Sequence, residues 1–302
     1  MSELISICIC SYRRPSLSLT LESLARQTAP EGMRLEVVVV DNDRAESARS
    51  ITEAAADRTG WPVRYEVEPR KGLSSARNRC LALARGDWLA LIDDDETAEA
   101  DWLANLYAVA RRCGADAVIG SVRPNFETPP PRWLAASGFY ERTPSGTGVR
   151  LEHGEALTGN ALLRAAFVKK NGLTFDEDFN ATGSEDSDFF RRFLERGGAM
   201  VGCREAVVSE TIPAERMTAE YVRQRSLQIG ETYARVALRN RGAPALAYGL
   251  ARAAVNVGAA AALWCATRPL GLEACSPYHL AFLRNVGKLR YLFGYRPMEP
   301  YK

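Results

Sequence analysis

Residues 88–96 read Trp88-Leu89-Ala90-Leu91-Ile92-Asp93-Asp94-Asp95-Glu96, five apolar residues halted by four acids. An apolar run of this length, stopped by polar residues, suits a strand buried on both faces. Residues 4–10 and 35–40 are runs of the same kind, ending in Ser11-Tyr12-Arg13-Arg14-Pro15 and in Asp41-Asn42-Asp43. Val63–Val67 reads as a short strand, and residues 117–119 begin another. Between these runs, Leu17, Leu21 and Leu24 fall at helical spacing within 16–27, and 73–84 and 102–112 are also helical in pattern. Strand–helix alternation predicts an α/β fold with a mostly parallel sheet covered on both faces. Ligands of such sheets gather beyond the carboxyl ends of the strands, where the polar segments 11–14, 41–44 and 93–96 all fall. The segment 124–149, rich in Pro, Gly, Ser and Thr, predicts a mobile loop or insertion, and Gly159-Asn160 a turn before a helix over 161–168.

The chain has 302 residues, 46% apolar and 25% charged, which fits one large domain or two and excludes disordered and collagen-like classes. A net charge of +2 hides an asymmetry: residues 211–302 hold 13 Lys/Arg against 5 Glu. This divides the chain into an acidic body, 1–210, and a basic, mainly helical region, 211–302, whose charge suits an anionic membrane surface. No nucleic acid partner is expected. The cysteines (Cys8, Cys10, Cys80, Cys113, Cys203, Cys265 and Cys275) form no C-x-x-C pair, and the apolar run after Glu3 is unlike a signal peptide. A reducing, cytoplasmic setting is the expectation.

Adjacent carboxylates repel one another unless a cation or donors compensate them. Mg²⁺ or Mn²⁺ bridging one or two carboxylates to substrate phosphates would do so, and so would an acidic turn capping the next helix. Asp93-x-Asp95-x-Thr97 also fits a phosphotransferase with Asp93 as nucleophile. A calcium loop would need Gly where Ala98 stands, and no G-x-G-x-x-G follows the first strand.

Seven pieces occur in one order: I-C-I-C-S-Y-R-R-P (7–15), V-V-V-V-D-N (37–42), K-G-L-S-S-A-R-N (71–78), G-D-W-L-A-L-I-D-D-D-E (86–96), T-G-N-A-L-L-R (158–164), G-S-E-D-S-D-F-F-R-R (183–192) and E-A-V-V-S-E-T-I-P-A-E-R (205–216). The first six resemble the inverting glycosyltransferases of family 2, with a GT-A, Rossmann-like nucleotide-diphospho-sugar transferase fold and here a C-terminal helical extension. The seventh resembles a subgroup acting in bacterial exopolysaccharide assembly. The resemblance implies that Asp41 accepts a hydrogen bond from the uracil of a UDP-sugar, and that Ser11, Tyr12 and Arg13 line the nucleotide. Lys71, Gly72 and Arg77 would lie beside the diphosphate, although Arg77-Asn78 also suits a solvated helix face. Asp95 would bind Mn²⁺ or Mg²⁺, with Asp93 or Asp94 meeting ribose, sugar or metal-bound water. Glu210 stands where relatives carry His near the metal and would be a third ligand. Asp186 would be the base that deprotonates the acceptor hydroxyl, with Glu185 beside it; Glu185, Asp186 and Asp188 together could keep it basic by repulsion. Asn160 would belong to the sugar or acceptor pocket. Arg223 and Arg225 would either clasp the diphosphate or form a solvated basic face. The alternatives are phosphoryl transfer through Asp93 and a nucleotide-sugar-binding module without turnover.

In the basic region, residues 243–266 are apolar except for Arg252 and Asn256, and 278–296 set Phe282, Val286, Leu289 and Phe293 against Arg284 and Lys288. Such helices suit attachment to the inner face of a membrane, beside a lipid-linked saccharide acceptor, or packing on the body.

Overall fold

A computed structural model describes residues 2–156, 158–239 and 242–295. Its centre is an eight-stranded sheet in the order β3-β2-β1-β4-β7-β6-β8-β5. The strands are β1 (Leu4–Ser11), β2 (Arg34–Asp41), β3 (Val63–Val67), β4 (Trp88–Ile92), β5 (Glu96–Ala98), β6 (Ala117–Phe126), β7 (Asn160–Arg164) and β8 (Met200–Ile212). The helices are α1 (Leu17–Ala25), α2 (Arg49–Thr59), α3 (Leu73–Leu83), α4 (Trp102–Cys113), α5 (Arg132–Ser137), α6 (Ala165–Lys170), α7 (Glu185–Glu195), α8 (Ala219–Leu238), α9 (Ala243–Thr267) and α10 (Leu272–Leu292).

Strands β1 to β4 pair in parallel, with Ser11 opposite Asp41 in register. Their polar carboxyl ends therefore open on one edge of the sheet, as the strand pattern predicts. One face carries α1, α2 and α4 through Leu17, Leu21, Ala55, Trp102 and Leu106. The other carries α3, α6 and α7 through Ala76, Cys80, Val168, Phe189 and Phe193. Because both faces are covered, the strands read as unbroken apolar runs.

Residues 161–168 are not one helix. Asn160–Arg164 forms β7, antiparallel between β4 and β6, and α6 begins at Ala165. The run Ala161-Leu162-Leu163 has no periodicity to separate a buried strand from a buried helix; lateral pairing decides it. The segment 124–149 is structured as well: β6 continues to Phe126, α5 follows, and Arg142 bridges to Val122. Strand β8 runs to Ile212, past the charge boundary at 210.

Helices α8 and α10 share a third core with α5 and the end of β8, built from Leu134, Tyr140, Ile212, Val222, Leu227, Leu280 and Leu283. They meet at Gly230 and Gly287, where an added Cβ would fall on the carbonyls of Arg284 and Leu227. Helix α9 packs along α10, with Trp264 stacked on His279 at 4.3 Å between ring centroids. The final part of the expected stretch 278–296, Arg296, lies outside the described residues.

Candidate active site

The end of β4, the start of α3 and the start of α7 converge on one guanidinium. Arg77, on α3, donates through Nη2 to Asp93 Oδ1 at 3.1 Å and through Nη1 to Glu185, the first residue of α7. Arg77 is buried, and so is Glu185. Two segments remote in sequence are thereby held face to face. Asp186 follows Glu185 at the helix N-terminus, half-buried, and its Oδ1 accepts from Ser187 N at 2.7 Å. The turn leading there places Gly183 and Ser184 both at φ 72°, left-handed backbone that is costly for Ser. Such strain persists only where the surroundings impose it.

The acids at the end of β4 are crowded. Asp93 N donates to Glu96 Oε2 at 3.0 Å, and the backbone of Gly159 presses on both side chains: a Cβ there would lie 2.6 Å from Glu96 Oε1 and 3.1 Å from Asp93 Oδ2. Burial pushes the Asp94 carboxyl up to about 7. Burial, then the charges of Asp93 and Glu210, push Asp95 up to about 6, against Arg14 at 3.5 Å. Glu96, fully enclosed beside Asp93, is raised as well. Glu210 lies opposite Glu96 across the β5–β8 pair and is held by Arg142 at 2.5 Å and Arg216 at 3.5 Å.

Several expected side chains are placed differently. Asp41 is fully buried, and three donors occupy its carboxylate: Asp43 N at 2.9 Å, Ala48 N at 2.7 Å and Tyr65 OH at 2.9 Å. It anchors the 42–48 loop. Asn160 accepts from Trp102 Nε1 at 2.7 Å and donates to Ser121 O and Ala206 O at 2.9 Å, so its amide is consumed in the sheet and offers a sugar nothing. Asp188 turns away from Asp186 to Arg191 at 3.0 Å and Arg192 at 2.7 Å, which removes it from the expected carboxylate repulsion. Arg223 pairs with Glu220 on the solvent side, and Arg225 donates to Gln228.

Ser11 is buried at the end of β1, while Tyr12 is exposed at the mouth. Arg13 is pinned to Asp43 at 2.9 Å. Lys71 is exposed beside Gly72, whose φ of 134° and contact with Asn180 leave no room for a side chain. Asn180 Oδ1 accepts from Ser74 N at 2.9 Å, capping the start of α3. Arg142, Asn180 and Tyr65 carry no sequence signal, because each acts across a long separation, whereas Arg216 closes the seventh piece of sequence, near the Glu210 it meets. Glu96 did carry one, as the fourth acid of the run.

This mixed sheet, parallel through β1 to β4, with its acidic strand end facing a helix start, defines a GT-A nucleotide-sugar transferase. The chain belongs to glycosyl transferase family 2, whose pattern matches residues 6–170. The succinoglycan biosynthesis protein ExoM of Rhizobium meliloti is 34% identical over 98% of this chain and 95% of its own length. The hyaluronan synthase of Pasteurella multocida is 27% identical over 64% of this chain and 23% of its own. In fold, the chain resembles the mannosyltransferase PcManGT of Pyrobaculum calidifontis, in complex with GDP-Man and Mn²⁺, with a TM-score of 0.63, 19% identity and coverage of 94% and 86%. It also resembles S. aureus TarS 1–349 in complex with UDP-GlcNAc, with a TM-score of 0.56, 18% identity and coverage of 97% and 93%. Family membership sets aside the phosphotransferase reading of Asp93.

Proposed function

We propose that this glycosyltransferase is inverting and metal-dependent, and that it moves a sugar from a UDP-sugar to a hydroxyl of a lipid-linked saccharide in bacterial exopolysaccharide synthesis. The observation that carries this reading is the Asp93–Arg77–Glu185 bridge, which holds the acidic strand end and the Asp186 helix start across one cleft. The 34% identity with the succinoglycan protein supports the exopolysaccharide class. The nucleotide seen with TarS supports UDP.

Among the described residues, no three His, Cys, Asp or Glu side chains gather into a preformed metal cage. The donors present nevertheless fit an ion held by one or two carboxylates and by phosphates. Asp95 is raised first by burial and then by the charges of Asp93 and Glu210, and a divalent cation would offset that repulsion. Asp95 would hold it, with Asp93 beside it; Glu210, already facing two arginines, would act from behind. A bound Mn²⁺ or Mg²⁺ would neutralise the departing diphosphate.

In this reading Asp186 takes the proton of the acceptor hydroxyl as that oxygen attacks the anomeric carbon from the face opposite the diphosphate. Glu185 and Arg77 fix the helix start that carries the base. Ser11 and Tyr12 line the nucleotide, with Lys71 and Gly72 near its phosphates and Asp94 toward the ribose. The enzyme would work at the inner face of the cell membrane. A screen of UDP-, GDP- and dTDP-sugars for donor hydrolysis, with Mn²⁺ or with chelator, tests the proposal. UDP-sugar turnover that chelator abolishes is expected; equal turnover in chelator, or preference for another nucleotide, contradicts it. UDP binding without any turnover would instead favour a non-catalytic module.

A further inference from the structure

Helix α9 and the turn after it, residues 244–270, are long and apolar enough to cross a membrane, and little of this stretch is buried. Its inner side, with Ala253 and Ala260 buried, packs on α10 and α8. Its outer side leaves Tyr248 68% and Val255 70% exposed, and beyond its end Leu270 is 75% exposed. Arg252 is the only charge between 244 and 267. At 100° per residue the exposed positions sweep about half the helix circumference, with Arg252 at the edge. A contiguous apolar surface of this size marks a partner.

Two more cations stand nearby on α10. Arg284 lies over the Phe139 ring at 5.6 Å, and Lys288 Nζ over the Tyr233 ring at 4.8 Å. Burial, then the charges of Arg252 and Arg284, lower the Lys288 pKa. None of the three cations has an ion-pair partner among the described residues, whereas Arg290 on the same helix meets Glu231 at 3.1 Å. Residues 141 and 142, just past Phe139, line a cavity of about 230 Å³ together with Gly154, which lies beside Tyr233.

We infer that α9 lies flat in the surface of an anionic bilayer, its outer face among the acyl chains, while Arg252, Arg284 and Lys288 take lipid phosphate at its edge. In its purpose this rests on the proposed lipid-linked acceptor, since it would bring a membrane-borne saccharide to the cleft. The helix cannot stand across the bilayer, because both ends are tied to one body. Before it, Arg239 pairs with Asp176 at 2.7 Å; after it, Ser276 donates to Trp133 O at 2.9 Å. A second copy fits less well. The apolar arc is broader than a helix–helix seam, and a two-fold contact would bring like unpaired cations together.

The test is sedimentation of the full chain with vesicles of phosphatidylcholine, with and without phosphatidylglycerol. Binding only to the acidic vesicles, weakened by salt, is expected. Arg252→Gln should weaken it about fivefold. Val255→Glu or Leu263→Glu, both at exposed positions, should weaken it by more than about tenfold, with donor hydrolysis unchanged. Probes placed singly at 248, 255 and 266 should report one common depth. No vesicle binding alongside intact donor hydrolysis overturns the inference and leaves the proposed chemistry standing. Equal binding to neutral vesicles removes the phosphate role, and a depth gradient along α9 means it spans the membrane. A change of oligomeric mass in Val255→Glu without vesicle binding assigns the face to a second copy, which also overturns the inference.

Discussion

Arg77 satisfies two carboxylates from different elements, and its loss would strand both. Arg77→Ala should cost about 3–5 kcal/mol, the usual penalty for an orphaned buried charge, read as a fall in the denaturant midpoint. Arg77→Lys should recover only part, because an ammonium lacks the planar fork that spans Asp93 and Glu185. Asp95 behaves oppositely. Its folded pKa, about 6, exceeds the ordinary carboxylate value, so the folded state binds a proton more readily than the unfolded one. The stability it contributes is present below about pH 4 and lost as pH rises through about 6. Metal-free protein should therefore melt lower at pH 8 than at pH 5. Asp95→Asn should recover on the order of 2 kcal/mol at pH 8 while abolishing turnover; unchanged melting would contradict the crowding at the strand end. The acids of this site were legible in the sequence because they stand in runs. The surroundings of Asp41 and Asn160 were not, since Tyr65 and the sheet partners Trp102, Ser121 and Ala206 that meet them lie far along the chain.

Among the elements, those with strong periodicity or unbroken apolar runs were readable: β1, β2, β4, α1, α3 and α4. Strand β7 was misread as helix because five residues carry no period, and the sheet places it by pairing with β4 and β6. The contact of α8 with α10 was equally hidden. It depends on two glycines that read only as weak points of helices, yet any side chain at Gly287 would meet the Leu227 carbonyl. Gly287→Val should separate these helices, lowering the melting temperature and exposing the third core to dye; Gly249→Ala, where a Cβ meets only the Leu238 side chain at 3.5 Å, should be close to neutral. Equal effects would refute the close-contact account.

At the scale of the molecule, the sheet supplies a fixed edge, and the basic helices reach back to it. Arg235 donates to Thr182 Oγ1 at 2.6 Å, and Arg239 pairs with Asp176 and Asp178, so α8 braces the segment that ends at Asp186. The charge division read from sequence thus separates regions that are mechanically joined, a fact no local pattern carries. The most direct test of the whole account is turnover and UDP-sugar binding measured together on Asp186→Asn. The account predicts donor affinity within about threefold of the wild type and transfer slowed at least about a thousandfold, as expected when a general base is removed without disturbing the donor site. Transfer at near wild-type rate would show that the base lies elsewhere.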